Sequence, residues 1–476
     1  LEAAAGSAAG GESLDIADVF STFLPPTGTG FGATVNNGID FAGEGGLLWL
    51  KARNANGYNH TLYDTERSGT LFSDATNKAS DYASDISSFN SNGYTTLSSG
   101  SSFNDQSGVN YVGWSFRKAE KFFDIVTYTG NGASGRLIDH NLGSAPGMVT
   151  IKSTSTSGTN WSTYHRSTTA NNYVILNTAA AQAGNGFDRT VSSTQYELGP
   201  NWADENQNGR TYVAYFFAHN NNDGEFGPDA DQDIIKCGSY TGNGSTTGPV
   251  INLGWEPQWL LVKKSSDSDN WYIFDSMRGF ITGANENSLY PNTNAADVST
   301  TYGSLTATGW SIDTSAGSLN QNNETFIYVA IRAPMITPPE AATDVFAIDT
   351  FGSSGSSVLP SWTSGFPVDM AHYKGSSSGQ PNFSLSRLTQ LKALLTDSTA
   401  AEATYAEVKF DYNNGHYAQT GVYSGYYSWM WKRAKGYFDV VTYTGTGSAT
   451  TVAHSLGVAP EMIWVKNRDQ ANGWPV

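Results

Sequence analysis

Few places in this sequence combine residue types and spacings that could do chemistry. The most suggestive is the acidic stretch NNNDGEFGPDADQD at residues 220–233. Asp229, Asp231 and Asp233 alternate as the oxygen ligands of a calcium loop do, and Asp223 and Glu225 could add carboxylates. An EF-hand loop starting at Asp229 would need Gly at its sixth position and Glu at its twelfth. Those places hold Ile234 and Tyr240, so the loop is of another kind. A looser calcium site stays open, against the plainer reading of a solvated acidic hinge.

The second candidate is Tyr164-His165-Arg166, a cluster with the parts of an acid–base site. The chain carries two related copies of this segment, and there the same place is filled by Asp275-Ser276 and by Asp64-Thr65. A position whose chemistry changes from copy to copy reads as a strand edge rather than an active centre. The single cysteine, Cys237, excludes an intrachain disulfide framework and any paired-cysteine metal site, and reads as a small apolar strand residue. The 43 acidic residues offer many chance carboxylate pairs of the kind glycosidases use, but nothing concentrates them in one module apart from the hinge. HExxH and phosphate-loop motifs are absent. No catalytic or cofactor-binding residue is therefore expected.

The elements that would position such groups are β-strands. Of 476 residues, 38% are hydrophobic and 13% aromatic, with 13 Trp and 25 Tyr, while only 14% are charged. Gly, Ser, Thr and Asn fill the gaps between short apolar runs, a mix that favours strands and turns over long helices. The net charge of −17 repels a phosphate backbone, so a nucleic-acid partner is not expected. No apolar run reaches the ~18–20 residues that span a bilayer as a helix. Residues 1–12 read as a flexible small-residue spacer without the features of a signal peptide.

Four landmarks recur in order about every hundred residues. A strand and glycine turn appears at Tyr128-Thr129-Gly130-Asn131-Gly132, at Tyr240-Thr241-Gly242-Asn243-Gly244, weakly at Phe351-Gly352, and at Tyr443-Thr444-Gly445-Thr446-Gly447. An apolar strand then ends at Lys51, Lys152, Lys263, Lys374 and Lys466. Next comes Asn or Asp followed by small residues, at Asp74, Asn177, Asn292 and Asp397. An aromatic-rich strand closes the unit at 110–119, 210–218, 325–333 and 426–434. These landmarks predict an all-β chain of tandem antiparallel β-sandwich, jelly-roll-like modules of about 90–112 residues. The modules are 13–119, 120–220, 233–335 and 344–434. An acidic linker, 221–232, and a proline-rich linker, 336–343, separate them.

Residues 435–476 read as the start of a fifth module cut in mid-sandwich, so the natural chain is expected to continue. In module 2, strands are predicted at 123–129, 136–141, 148–152, 161–165, 173–177, 192–198 and 211–218, with the last one central. SLSRLTQLKALL at 384–395 has leucines at helical spacing, yet the repeat register makes its second half a strand and leaves a short helical turn at 385–391 open.

The phrases FFDIVTYTGNG…HNLGSAPGMV, IIKCGSYTGNG…LGWEPQWLLVK and DVFAIDT…TSGFPVDM resemble a repeated domain of uncharacterised virion proteins of marine tailed bacteriophages, notably those of cyanobacteria. The resemblance spans nearly the whole chain after residue 14. It implies a structural, tail-fibre-like component located in the virion. The expected partners are other virion proteins, further copies of the chain (a trimer favoured) and a host surface glycan or receptor. It supplies no catalytic residue. A tail-associated polysaccharide depolymerase and a cellular adhesin with carbohydrate-binding modules stay open as alternatives.

Overall fold

A computed structural model describes residues 14–25, 33–80, 85–97, 108–184, 187–227, 229–280, 286–334, 339–351, 360–377, 379–405, 408–417 and 425–476. The expected spacer at 1–12 and residues 336–338 of the proline-rich linker lie outside them. The described chain is nearly all β and antiparallel.

Each of modules 1–4 places its first, last, third and fourth strands in one sheet, in that spatial order, and its second strand in a smaller sheet packed against it. In module 2 the large sheet holds Phe123–Thr129, Thr211–Phe217, Met148–Ser153 and Ser162–His165, and continues through Asn172–Ile175. The small sheet pairs Leu137–Asp139 with Gln195–Glu197. The last strand lies between the first and the third, pairing Tyr215 with Ile125 on one side and with Thr150 on the other. Its position explains its composition. Tyr212 through Phe217 are all buried, because both faces of a central strand are covered and alternation no longer distinguishes them.

The landmarks act as fasteners within each module. Asp74, Asn177 and Asn292 each accept a hydrogen bond through Oδ1 from the backbone N–H of His60, Trp161 and Trp271, at 3.1, 2.8 and 3.0 Å. The glycine turn is pinned to the loop before the last strand. Gly132 N–H donates to Asn206 O at 2.9 Å and Gly244 N–H to Asn320 O at 2.8 Å, both glycines having positive φ (71° and 65°). A Cβ at Gly130 or Gly242 would lie 2.3 or 2.2 Å from a backbone carbonyl of that loop, so only glycine fits.

The segment 384–395 resolves into a strand, Asn382–Ser386, a single 3₁₀ turn, Arg387–Thr389, and a strand, Lys392–Leu395. Residues 435–476, which repeat the opening phrases of a module, contain no strand. In modules 2 and 3 the first and third strands both pair with the last strand.

The modules are not independent beads. One continuous core joins modules 1, 2 and 3, with Trp114 and Phe116, Tyr215 and Phe217, and Val329 and Ile331 at equivalent places on the three last strands. Edge-to-face aromatic contacts cross it, Phe116 to Phe217 at 5.6 Å and Phe116 to Trp259 at 5.7 Å. The acidic linker belongs to this body as well. Phe226 is buried against Phe122, and Gly227 N–H donates to Leu14 O at 2.8 Å, so the segment is anchored rather than a free solvated hinge.

Candidate functional site

The lysine-ended strands and the Asn/Asp segments of neighbouring modules form the same contact four times. Two residues after each lysine, a backbone carbonyl accepts from an N–H five residues after the landmark Asn or Asp. Ala79 donates to Thr154 O at 3.1 Å, Gln182 to Ser265 O at 2.7 Å, Asp297 to Arg53 O at 2.6 Å and Glu402 to Arg468 O at 2.8 Å. These bonds run from module 1 to 2, from 2 to 3, from 3 back to 1, and from 4 to 435–476. The first three close a ring.

A tryptophan seals three of the four joints. Trp161 Nε1–H donates to Phe72 O at 2.8 Å, Trp271 Nε1–H to Ile175 O at 3.0 Å and Trp474 Nε1–H to Leu395 O at 2.9 Å. At the ring-closing joint His60 stands in the tryptophan's place, its ring beside the Tyr290 backbone. Ser73 Oγ–H reinforces that joint by donating to Pro291 O at 2.7 Å.

The lysines lie under these joints. Lys51, Lys152 and Lys263 are buried, and their ammonium groups turn to carbonyls: Lys51 to Ala52 O at 2.9 Å, Lys152 to Thr159 O, and Lys263 to Ala179 O of module 2 at 3.3 Å. Burial without a close carboxylate lowers each ammonium to about 8. Lys374 is exposed.

The second candidate cluster belongs to the ring. Position 64/165/275 of modules 1, 2 and 3 meets the last strand of the next module each time. Asp64 Oδ2 accepts from Tyr215 OH at 2.7 Å, and Asp275 Oδ2 accepts from Trp114 Nε1–H at 3.1 Å. His165 Nε2 meets Tyr328 O at 3.0 Å while its Nδ1 accepts from Ser167 N–H at 3.1 Å. Those two bonds fix the neutral tautomer with the proton on Nε2, and burial lowers the imidazole to about 4. Neither ring nitrogen is left to move a proton.

Two arginines that the sequence reading passed over complete the acidic versions. Arg67 Nε contacts Asp64 Oδ2 at 2.8 Å, and Arg278 Nε contacts Asp275 Oδ2 at 2.6 Å with both side chains fully buried. Arg278 also reaches Asp297 at 2.8 Å and lies 5.5 Å over the Trp114 ring. The repeated Asp-x-x-Arg in DTER and DSMR was the visible signal. Thr65 and Ser276 follow the two acids at the ends of these strands. Tyr164 packs edge-on against Tyr196, and Arg166 N–H closes the strand end onto Gly147 O.

The acidic stretch is not gathered into a cation site. Asp233 accepts from Asn222 N–H at 3.0 Å and from Gly224 N–H at 3.1 Å, and Lys236 approaches it at 3.3 Å. Asp223 and Glu225 face Lys121 at 3.6 and 3.9 Å. Among the described residues, no group of three His, Cys, Asp or Glu side chains is placed to hold a metal, so Asp229 and Asp231 do not join Asp233. Cys237 is buried, and its burial raises the thiol well above the ordinary range, which leaves it unreactive. No described helix is long and apolar enough to cross a membrane.

Module 4 docks on the ring through charged side chains. Arg433 forms a two-pronged pair with Glu256 of module 3, at 2.8 and 2.6 Å, and Arg53 of module 1 joins Asp297 and Asp411, at 3.1 and 3.3 Å. Leu388 inserts into the core of module 3.

No curated protein and no solved structure matches the chain. Residues 17–334 and 342–476 match one family, described as a domain of unknown function (DUF7483), and the chain belongs to that family.

Proposed function

We propose that this chain is a structural protein of the virion, a tail-fibre or other external appendage of a marine tailed bacteriophage. It associates with other virion proteins and with further copies of itself, three by the habit of tail fibres, and the appendage contacts a host surface glycan or receptor. The observation that supports this reading is the use made of position 64/165/275. Asp, His and Asp, three residues with chemistry to offer, are all spent on holding one module to the next. The resemblance of the repeated phrases to phage virion proteins points the same way. Multiple linked copies suit such a role, since weak single contacts gain roughly 10²–10⁴ in avidity.

Quantitative mass spectrometry and antibody labelling of purified particles test the reading, with several copies per particle expected at one location. Absence from particles overturns it, as does release of reducing ends at turnover rates when the purified chain meets host envelope polysaccharide.

A further inference from the structure

Among the described residues, module 3 is the one ring module that histidine holds at both joints. At the joint to module 1, His60 lies beside the Tyr290 backbone, and its Nδ1 accepts from Trp49 Nε1–H at 3.1 Å. At the joint to module 2, His165 meets Tyr328 O, and its Nδ1 accepts from Ser167 N–H at 3.1 Å. His219, just past the last strand of module 2, accepts through Nδ1 from Cys237 N–H on the first strand of module 3, again at 3.1 Å. The joint between modules 1 and 2 is made without imidazole, by Trp161 Nε1–H, Tyr215 OH, Asp64 and Arg67.

In all three histidines an N–H occupies the Nδ1 lone pair, so the neutral ring carries its proton on Nε2. A second proton must go to Nδ1, where it would face another donor and break that bond. The neighbours oppose the charge as well. Lys51 and Arg278 face His60, Arg166 faces both His165 and His219, and Lys236 stands by His219, which itself faces His165. The nearby carboxylates do little to offset this. Asp74 is engaged by the His60 backbone N–H at 3.1 Å, and Asp223 and Asp233 act on His219 alone of the three. Burial, aided by those cations, lowers His165 and His219 to about 4 and holds His60 well below its ordinary value.

We propose that module 3 is an acid-releasable part of the ring. Protonation of His60, His165 and His219 opens both of its joints, while the joint between modules 1 and 2 stays closed. An open joint takes up its protons near the ordinary imidazole value of 6.5, and a closed one only near 4. Closure is therefore fully favoured above 6.5 and weakens as pH falls from there towards 4. Burial raises the Asp64 carboxyl, so the closed joint of modules 1 and 2 binds that proton more readily than an open one, and acid does not oppose it there. His140 and His416 are buried inside modules 2 and 4, which makes acid unfolding of whole modules the competing event.

Hydrogen exchange of the full chain, read by mass spectrometry at about pH 7.5 and about pH 5 with intrinsic rates divided out, tests the proposal. The N–H groups of Gln182, Asp297 and Ala79 report the joints of modules 2 and 3, 3 and 1, and 1 and 2. Protection of Gln182 and Asp297 is expected to fall roughly tenfold or more at the lower pH, with Ala79 unchanged. His165→Gln and His60→Gln each replace an imidazole with an amide that gains no charge. They are expected to preserve the protection of Gln182 and of Asp297, respectively, at the lower pH. Loss at all three joints together overturns the proposal. So does protection kept at Gln182 and Asp297 in the unaltered chain, or a loss that neither substitution changes. If a variant fails to fold at the higher pH, the three-joint comparison in the unaltered chain decides alone.

Discussion

Modules 1–3 and module 4 with the segment after it are written in the same four landmarks, yet they end in different physical states. In the ring, the strand ends Lys51, Lys152 and Lys263 are buried, and three last strands meet in one core. In module 4 the corresponding strand, Met370–Gly375, alternates half-buried and buried residues, and Lys374 is exposed. After Phe438 the same phrases form no strand, and Met462, Ile463 and Trp464 stand 67, 57 and 49% exposed. Nevertheless Trp474 reaches Leu395 O, as Trp161 and Trp271 reach their carbonyls in the ring, and Lys466 reaches Thr399 O at 3.0 Å, as Lys263 reaches Ala179 O. Docking between modules is therefore encoded locally, around the lysine and the tryptophan. In each of modules 1–4 the last strand, which lies far along the chain, stands between the first and the third.

That contrast predicts a steep difference in tolerance. Val213→Asp or Leu261→Asp would bury an unpaired charge in the ring and cost about 3–5 kcal/mol, whereas Ile348→Asp on module 4 should stay within about 0.5 kcal/mol. Urea denaturation of the three variants measures this, and equal losses would erase the distinction between the two regions.

A smaller effect is expected at the glycine turn. Gly130→Ala or Gly242→Ala drives a methyl into a backbone carbonyl and should cost about 1–3 kcal/mol. At Gly445 the added Cβ meets nothing within 4 Å, so Gly445→Ala should be silent in the same assay.

At the joints, Trp271→Phe removes the N–H that satisfies Ile175 O and should cost about 1–2 kcal/mol. Trp474→Phe, at a more open joint, should cost less. Thermal melts of both sharpen the claim that the joint is shared but its surroundings are not.

The mildest effect is a pH dependence. Each ring lysine is held at about 8 in the fold against an ordinary value of 10.5. Between those values the unfolded chain binds more protons than the folded one, so this contribution makes stability rise with pH from about 8 to 10.5. Lys263→Met should stabilise the protein by about 1 kcal/mol at pH 7, with the advantage fading towards pH 10.5. Melting temperatures of the unaltered chain and of this variant, compared across pH, check it.

Much of this architecture was legible in the residues. The strands of module 2 lie almost where alternation and the flanking Gly, Asn and Pro put them, because local pattern and tertiary burial agree there. The leucines at 385, 388, 391 and 394 suggested a helix, but the register favoured a strand. The chain forms one helical turn and then that strand. The ring itself was not legible. Its bonds join backbone groups of one module to those of the next, and a backbone N–H has no sequence signature. Position 64/165/275 concealed its common role because Asp and His hold the same neighbour through different atoms. The tryptophan at a near-constant distance past the lysine, in Trp161, Trp271 and Trp474, was the cue that could have exposed the joint.

Ring closure has a further consequence for how the chain is made. Trp114 waits for Asp275, 161 residues later, and Arg53 waits for Asp297, 244 residues later. At a synthesis rate of roughly 5–20 residues per second, module 1 would hold its aromatic inner face in water for roughly ten to fifty seconds before module 3 emerges. Over that interval the first module is a half-finished surface on the ribosome, exposed to stray contacts with other nascent chains, and its rescue depends on the third.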